Sequence, residues 1–335
     1  MSTLVAASPA TARGAVPKVL LLLVRRLVGA LLVLLIVTIV IFGFVHAAPG
    51  SPEQAIGGRE ASLDQLAAIR VAYHLDDPLP LQYVNYLRSL VVLDLGQSYS
   101  LREPVVTVVT RAALNVTIPL LLISWVLATV IGTILGYQAA RSRGGVLDRI
   151  IVGFTVFGAS SPAFVTGMLL TYVFGIQLHW LPVLGGGAGG LDSIVHLILP
   201  SLTITIVLLA STTKLTRVRI AQILDEDQLT FARARGLSRR YLISNVFIKN
   251  SAVHLITFSG SLLVTLIGGL VLVEQLFGLS GIGSLLITAI NNRDIPLVQG
   301  VTLLIAIAVV LVNLVVDALC FAVDPRIRKG MSVPS

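Results

Sequence analysis

Residues Leu27–Val45 read LVGALLVLLIVTIVIFGFV, an uninterrupted stretch without a charged side chain. A helix needs about 20 consecutive apolar residues to cross the hydrocarbon core of a bilayer, and this stretch is long enough. Five further apolar runs of similar length follow it along the chain. The sequence therefore predicts an all-α integral membrane protein with six transmembrane helices, at Leu27–Val45, Leu114–Leu135, Ile150–Gly175, Ile194–Ala210, Ala252–Val273 and Leu297–Phe321.

The composition of the whole chain agrees with this prediction. Of the 335 residues, 56% are hydrophobic and 12% are charged, and the mean hydropathy is +0.94. Soluble domains have about 25% charged residues, so this chain could not cover a water-facing surface. The net charge of +8 does not indicate a nucleic-acid partner, because the basic residues lie at the flanks of the spans. The single cysteine, Cys320, excludes an internal disulfide framework and a Cys-based metal site.

The distribution of basic residues predicts the orientation in the membrane. Eighteen of the 24 Lys and Arg residues fall in segments that share one side when both termini lie on that side. The positive-inside rule makes that side the cytoplasm. A cleavable signal peptide is an alternative interpretation of the first span, since Arg25 and Arg26 precede it. The apolar run is longer than the 7–15 residues, roughly, of a signal peptide, so we expect the span to be retained.

Two segments outside the spans are long enough to have a structure of their own. Residues 47–111 show helical spacing of apolar residues and predict a small external helical cap between the first two spans. The chain is therefore predicted to begin with a disordered cytoplasmic tail at 1–18, a first transmembrane helix at 19–46 and this cap at 47–111. A five-helix core follows at 112–321 and contains a cytoplasmic segment at 213–250. A cytoplasmic tail at 322–335 ends the predicted division.

The cytoplasmic segment 213–250 has the pattern of two short helices joined by a glycine turn. Three acidic residues precede Gln228, where a helix is expected to begin, and acidic residues favour the N-terminal end of a helix dipole. Gly236 suits the left-handed position after a helix end, and Ser238 can cap the next helix. Such a segment could dock into a groove of another protein, remain a solvated loop, or rest on anionic lipid.

These residues resemble a known family. Ala232–Ser238, read as ARARGLS after Asp227, is similar to the cytoplasmic loop of permease subunits of binding-protein-dependent ABC importers, in particular the dipeptide/oligopeptide branch. Gln228 stands where that branch has an aromatic residue. Further segments similar to the branch, and to its first (B-type) permease, follow in the expected order: Pro49–Pro52, His74–Tyr83, Asp94–Ser98, Leu181–Pro182, His196–Pro200, Glu274–Gly278, Asn292–Pro296, Asn313–Asp317 and Asp324–Arg328.

The resemblance implies a type I ABC-importer permease fold and a non-catalytic subunit. The expected partners are a second homologous permease, two ATP-binding subunits or one fused ATPase, an extracytoplasmic binding protein that delivers peptides, and the lipid bilayer. No Gly-x-x-x-x-Gly-Lys-Ser/Thr phosphate loop occurs, so ATP and Mg are expected on the partner ATPases, with no cofactor in this chain. The residues expected to contact the ATPase are Asp225, Glu226, Asp227, Gln228, Phe231, Ala232, Arg233, Ala234, Arg235, Gly236, Leu237 and Ser238.

The stretch Glu274–Pro296 resembles the re-entrant external loop of the family. The candidates for the translocation path or its outer gate are Asn115, Thr117, Glu274, Phe277, Arg293 and Asp294. Glu274 and Asp294 could bind a peptide amino group, pair with Arg293 or cap helices. Small polar residues such as Thr117 could line the path or join helices to each other. Asp317 is expected to pair with a helix-end partner such as Arg326 near the inner end of the sixth span, because an isolated charge in a bilayer is costly.

Two alternatives remain at this point. The same fold imports nickel, glutathione or haem in related systems. An ion-coupled secondary carrier is the alternative from a different class, and it predicts inverted repeats with ionisable residues near the midplane of the membrane. Neither feature is evident in the sequence.

Overall fold

Ten helices make up the part of the chain that the computed structural model describes, which comprises residues 15–47, 53–54, 62–72, 75–224, 236 and 249–323. Within these residues there is no β-strand, and one isolated antiparallel bridge joins Gln97 to Pro104. The helices are α1 (Ala15–Ala47), α2 (Leu63–Ala72), α3 (Leu79–Val91), α4 (Val105–Arg141), α5 (Val146–Ser160), α6 (Ala163–Gln177), α7 (Leu191–Leu224), α8 (Lys249–Leu276), α9 (Ile282–Asn291) and α10 (Ile295–Val323).

The predicted membrane spans are present as helices. Stretches of α1, α4, α7, α8 and α10 are each long and apolar enough to cross a membrane, and α5 and α6 together form a sixth span if the pair counts as one. The prediction of six spans is confirmed in this form.

The third predicted span, Ile150–Gly175, is not one straight helix. The axes of α5 and α6 meet at an angle of 105°. Ser161, between them, has an extended backbone with φ −90° and ψ 128°. The residue before a proline is driven out of the helical region by the proline ring, so Pro162 ends α5 and begins a new direction. Hydropathy alone could not show this bend.

Several helices extend beyond the predicted apolar runs. Helix α1 begins at Ala15, inside the predicted tail 1–18. Helix α4 begins at Val105, directly after Pro104, so the last residues of the predicted cap belong to the second span. Helix α7 continues to Leu224, well into the predicted segment 213–250. Hydropathy marks the part of a helix that lies in lipid, whereas the backbone hydrogen bonds continue into the polar flanks.

Helices α4 and α7 form the most extensive contact of the bundle. A small residue stands at every fourth position of α4, and all of them are buried: Ser124, Ala128, Gly132, Gly136 and Ala140. An added Cβ would lie 2.6 Å from the Cβ of Thr212 at Gly132 and 2.6 Å from that of Thr216 at Gly136. Residue numbers rise together along both helices, so they run parallel. Small residues allow this approach of two membrane helices.

The predicted helical segment between the first two spans is present as α2 and α3. The hydroxyl of Tyr83 in α3 lies 2.9 Å from that of Thr38 in α1. Nε2 of His46 lies 3.1 Å from Oε1 of Gln82. The rings of Phe42 and Tyr83 pack edge to face, with centroids 5.3 Å apart. Helix α3 is therefore held against the C-terminal end of α1.

The interior contains two large apolar clusters. One joins α4, α7 and α8 through residues such as Leu120, Leu199 and Leu270. The other joins the first turns of α4 to α9 and α10 through residues such as Val105 and Leu297. The second cluster lies close to the candidates Arg293 and Asp294, because Leu297 belongs to it.

Candidate functional site at the two ends of the bundle

The predicted ATPase contact falls mostly outside the described residues. Gly236 is described, and its exposed backbone has a φ of +69°, the left-handed conformation predicted for it. The other candidates lie outside the described part, and their role stays a prediction: Asp225, Glu226, Asp227, Gln228, Phe231, Ala232, Arg233, Ala234, Arg235, Leu237 and Ser238.

A partly buried ion pair lies near the end of α7 that leads into this segment. Arg217 donates from Nε to Oδ1 of Asp148 at 2.6 Å and from Nη2 to Oδ2 at 2.7 Å. Asp148 stands in the first turn of α5, and its carboxylate also accepts a hydrogen bond from the backbone N–H of Gly144 at 3.0 Å. Such a two-bond contact fixes orientation as well as distance. It therefore holds the end of α7 against α5.

Sequence reasoning did not single out Asp148. The signal was available, because Asp148 is an acidic residue in a basic flank, at the start of an apolar helix, between Arg143 and Arg149. Acidic residues are favoured at helix N-termini, so this position alone would account for Asp148 without a distant partner. Its partner Arg217 could not be identified from the sequence, since the two residues are 69 positions apart.

Glu274 caps a helix from the end of the preceding one. Its carboxylate is fully buried and accepts hydrogen bonds from the backbone N–H groups of Gly283 at 2.7 Å and Ser284 at 3.0 Å. It also accepts one from Oγ1 of Thr117 at 2.7 Å, and Thr117 in turn accepts the N–H of Ile282 at 2.8 Å. A carboxylate is favoured beside the free N–H groups that begin a helix, here α9. Of the alternatives considered for Glu274, helix capping is confirmed.

Two glycines make room for this carboxylate. An added Cβ at Gly281 would lie 2.2 Å from Oε1 of Glu274. At Gly283 it would lie 2.6 Å from Cα of Val271 and 3.0 Å from Oε2 of Glu274. Only glycine allows the start of α9 to approach the end of α8 so closely.

The two candidates on α4 have different surroundings. Both belong to a π-helical turn at Ala113–Thr117, a feature that often marks functional sites. Thr117 is half-buried against Glu274, whereas Asn115 is exposed. The candidate Phe277 is buried in the apolar cluster of α4, α7 and α8, so it packs rather than lines an open surface within this chain.

Asp294 caps α10 and holds the loop before α4. Its carboxylate is buried and accepts hydrogen bonds from Oγ of Ser98 at 2.5 Å, from the N–H and Oγ of Ser100 at 2.9 and 2.7 Å, and from the N–H of Leu297 at 3.2 Å. Burial raises the pKa of Asp294, but these hydrogen bonds outweigh it and leave the pKa below its ordinary value. Arg293 is exposed, and within the described residues it forms no ion pair with Asp294 or Glu274.

The sequence matches two descriptions of one family. Residues 128–329 match "Binding-protein-dependent transport system inner membrane component", and residues 19–121 match "Binding-prot-dependent transport system membrane comp, N-term". The chain belongs to this family. It is accordingly a multi-pass inner-membrane permease component of an ABC importer.

Relatives of this permease are similar along nearly its whole length. It is 37% identical over 309 residues to the probable peptide ABC transporter permease protein y4tP of Sinorhizobium fredii, which covers 91% of this chain and 98% of that protein. It is 36% identical over 305 residues to the glutathione transport system permease protein GsiC of Escherichia coli K12, with coverage of 91% and 98%.

A solved structure supports the fold. The permease resembles a chain of the inward-facing MetNI methionine ABC transporter with a TM-score of 0.53 and 17% identity, over 65% of this chain and 96% of that chain. This similarity supports the expected type I importer fold.

Asp317 has a partner that the sequence analysis did not name. Its Oδ2 lies 3.1 Å from Nη1 of Arg26 in α1. The contact joins the first and last spans, which pack against each other in the bundle. The expected pairing with Arg326 stays a prediction, because Arg326 lies outside the described residues.

Proposed function

We propose that this permease forms half of the translocation path of a peptide importer, as its first (B-type) permease subunit. A second, homologous permease supplies the other half, and an extracytoplasmic binding protein delivers the peptide. Two ATP-binding subunits, or one fused ATPase, bind ATP and Mg and carry out the hydrolysis. The chain is similar over 91% of its length to permeases named for peptide and glutathione transport, and this similarity supports the proposed roles of the permease and its partners.

Both termini lie in the cytoplasm in this proposal. The basic residues concentrate on the flanks that this orientation places inside. The parallel course of α4 and α7 is consistent with it, because the second and fourth spans must then both run from the outer to the inner side. The Arg217–Asp148 pair lies at the inner end of the bundle, and Glu274 and Asp294 lie at the outer end.

The segment between α7 and α8 transmits the movement of the ATPases. When ATP binding closes the ATPase pair, the two short helices that the sequence predicts on either side of Gly236 move as a rigid lever and tilt the attached spans. ATP thereby shifts an equilibrium between two orientations of the path, since it binds one of the two states more tightly.

The observation that carries this proposal is the continuity of α7. One helix of 34 residues leads from Leu191 to Leu224, and its last residues belong to the cytoplasmic segment 213–250, which is the coupling segment of this proposal. The small-residue contact fixes it to α4, and Arg217 fixes it to α5. A displacement of its inner end therefore moves three helices together.

Purification of the intact complex from native membranes tests the proposed assembly. We expect two ATP-binding chains, or one fused chain, and a second homologous permease to co-purify with this one. If the chain purified alone and transported solute without nucleotide, the secondary-carrier alternative would be correct.

Replacement of Gly236 tests the lever. A β-branched residue is strongly disfavoured at a φ of +69°, so Gly236→Val is expected to reduce ATP-driven uptake at least tenfold while the protein still inserts into the membrane. Gly236→Asn is the matched control, because asparagine tolerates the left-handed conformation and is expected to retain uptake. Undiminished uptake by Gly236→Val would contradict the lever.

Glutathione is the second candidate cargo, since a permease named for it is 36% identical. Uptake of a labelled dipeptide and of labelled glutathione by the reconstituted complex, each in competition with the other, separates the two. We expect the dipeptide to be the better competitor. Preference for glutathione would reassign the cargo without changing the mechanism.

A further inference from the structure

Helices α1 and α10 each carry charged residues within a long apolar stretch. In α1 the stretch Val19–Val45 contains no charged residue except Arg25 and Arg26. In α10 the only charged residue of the stretch Leu297–Val323 is Asp317. Each stretch has 27 residues within one continuous helix, which at 1.5 Å per residue is about 40 Å long. The hydrocarbon core of a bilayer is about 30 Å thick, so apolar residues continue past the charges on both helices.

The charges of the two helices lie at the same depth. Twenty residues of helix cover about 30 Å. Counted back from Val45, the twentieth residue of α1 is Arg26. Counted from Leu297, the twenty-first residue of α10 is Asp317. With Val45 and Leu297 at one surface of the hydrocarbon core, the charges lie at the other surface, where the headgroup phosphates begin.

One positive charge at this level has no counter-charge within the described residues. Arg26 pairs with Asp317, with Nη1 3.1 Å from Oδ2, yet its side chain is 62% exposed. Arg25 is exposed and forms no ion pair in the described part of the chain. Two arginines and one carboxylate leave a net charge of +1. Because an unpaired charge beside hydrocarbon is costly, we expect this surface to bind an anion.

An open position lies next to Arg25 on the surface of α1. Gly29 follows Arg25 by four residues, so it lies on the same face of the helix, one turn nearer the middle of the membrane. An added Cβ at Gly29 would have nothing within 4 Å. Beside it, Val28 and Leu32 are exposed apolar side chains. Next to the positive charge the helix therefore offers a shallow apolar hollow, which suits an acyl chain better than a hydrated ion.

We propose that Arg25 and Arg26 bind the phosphate of an anionic phospholipid whose acyl chain lies against α1 at Gly29. The negative charge of the phosphate neutralises the remaining positive charge, and the long arginine side chains reach the headgroup level from the edge of the hydrocarbon. A free phosphate would leave the apolar surface around Gly29 uncovered, so a lipid fits better. The orientation proposed above decides only which leaflet supplies the lipid, and it makes this the inner leaflet.

Binding of phosphatidylglycerol to the purified complex tests the site. The complex is titrated in a neutral detergent with phosphatidylglycerol that carries a fluorescent acyl chain, and phosphatidylcholine with the same chain is the comparison. We expect the wild type to bind phosphatidylglycerol more tightly. Arg25→Gln should raise its dissociation constant about fivefold, the usual effect of one basic residue at an anionic membrane surface. Arg141→Gln removes an exposed arginine from the last turn of α4, at the same end of the bundle, and should leave the dissociation constant unchanged.

Two further variants distinguish the site from a structural role of the charges. Asp317→Asn releases Arg26 to the phosphate, so binding should become about fivefold tighter, whereas general damage to the contact between α1 and α10 would weaken it. Gly29→Leu fills the hollow without changing the charge and should weaken binding about fourfold, the equivalent of one buried CH₂ group. Gly43→Leu, at an equally open glycine near the other end of α1, is the matched control and should have no effect.

Several results would overturn the lipid site. The first is equal binding of both lipids by the wild type, and the second is an equal effect of Arg25→Gln and Arg141→Gln. Weaker binding by Asp317→Asn would make the charges structural. Displacement of the lipid by inorganic phosphate would assign the arginines to a free anion, and loss of a partner chain from the Arg25→Gln complex would assign them to a protein contact. None of these measurements uses transport, so failure of the lipid site would leave the proposed function standing.

Discussion

The two ends of the bundle satisfy their buried carboxylates with different kinds of partner. At one end Asp148 is paired with the charged guanidinium of Arg217. At the other end Glu274 and Asp294 receive only neutral donors, namely backbone N–H groups and hydroxyls. A long arginine side chain can follow a small shift between two helices, whereas a carboxylate bound to the first N–H groups of a helix must move with that helix.

This difference suggests that the two ends of the bundle respond differently when the helices move. Glu274 joins the end of α8, the start of α9 and the π-helical turn of α4 into one unit. Asp294 joins the start of α10 to the loop before α4. We therefore expect the Glu274 and Asp294 end to move as a rigid body. At the other end the Arg217–Asp148 pair keeps α5 with α7, while the arginine side chain absorbs small shifts between the two helices.

The largest expected effect follows from removal of the Glu274 carboxylate. Glu274→Ala leaves the N–H groups of Gly283 and Ser284 and the hydroxyl of Thr117 without their acceptor in a buried site. Orphaned buried donors each cost roughly 1–3 kcal/mol, so the free energy of unfolding should fall by about 4 kcal/mol. Thermal unfolding of the purified complex measures the loss. Glu103→Ala, at an exposed carboxylate, is the control and should change little; equal stability of the two variants would contradict the rigid cap.

The next effect concerns the ion pair at the other end. Arg217→Ala leaves Asp148 buried and unpaired, and breaking a buried pair costs about 3 kcal/mol, at the lower end of the usual range because the Arg217 side chain is 31% exposed. The double variant with Asp148→Ala should be more stable than Arg217→Ala alone, because it no longer buries an unpaired charge. Unfolding of the two single variants and the double variant gives the coupling energy. Strictly additive losses would show that the pair does not hold α7 to α5.

The contact between α4 and α7 links the two ends. A substitution in this contact should lower stability less than the two changes described above. At Gly136 an added Cβ would lie 2.6 Å from the Cβ of Thr216 and 2.7 Å from the backbone oxygen of Thr213. Overpacking of this kind costs about 1–3 kcal/mol, so Gly136→Ala should lower stability by about 2 kcal/mol and reduce uptake. Gly153→Ala, at an exposed glycine of α5 with no neighbour within 4 Å, serves as the comparison. If the two variants behaved alike, the close approach of α4 and α7 would not matter.

The membrane spans were predictable because a run of consecutive apolar residues can be recognised without knowledge of the tertiary structure. The small-residue repeat that includes Gly132 and Gly136 was equally readable, since its period of four residues is visible in the sequence alone. The bend at Ser161 could have been suspected from Pro162, but its angle depends on packing.

The partners of the buried charges were not predictable. Glu274 depends on Thr117, which is 157 positions away, and Asp148 depends on Arg217. Asp317 pairs with Arg26, because α1 packs against α10. In each case a carboxylate could be named from the sequence, while the group that satisfies it is determined by the tertiary structure.

The smallest effect is a dependence of stability on pH that arises from Asp294. Its folded-state pKa lies below the unfolded value, which is about 3.9 for aspartate. Its contribution is therefore fully present above the unfolded pKa and is lost as pH falls through the folded-state pKa. We expect the stability difference between the wild type and Asp294→Asn to be constant from pH 7 to about pH 5, and to shrink as the pH is lowered towards 3. Asp94→Asn, at an exposed carboxylate with a single hydrogen bond to Gly96, corrects for the general effect of losing a negative charge. Thermal unfolding of the three proteins across this pH range measures the difference, and a constant difference down to pH 3 would mean that the charge of Asp294 does not stabilise this end of the bundle.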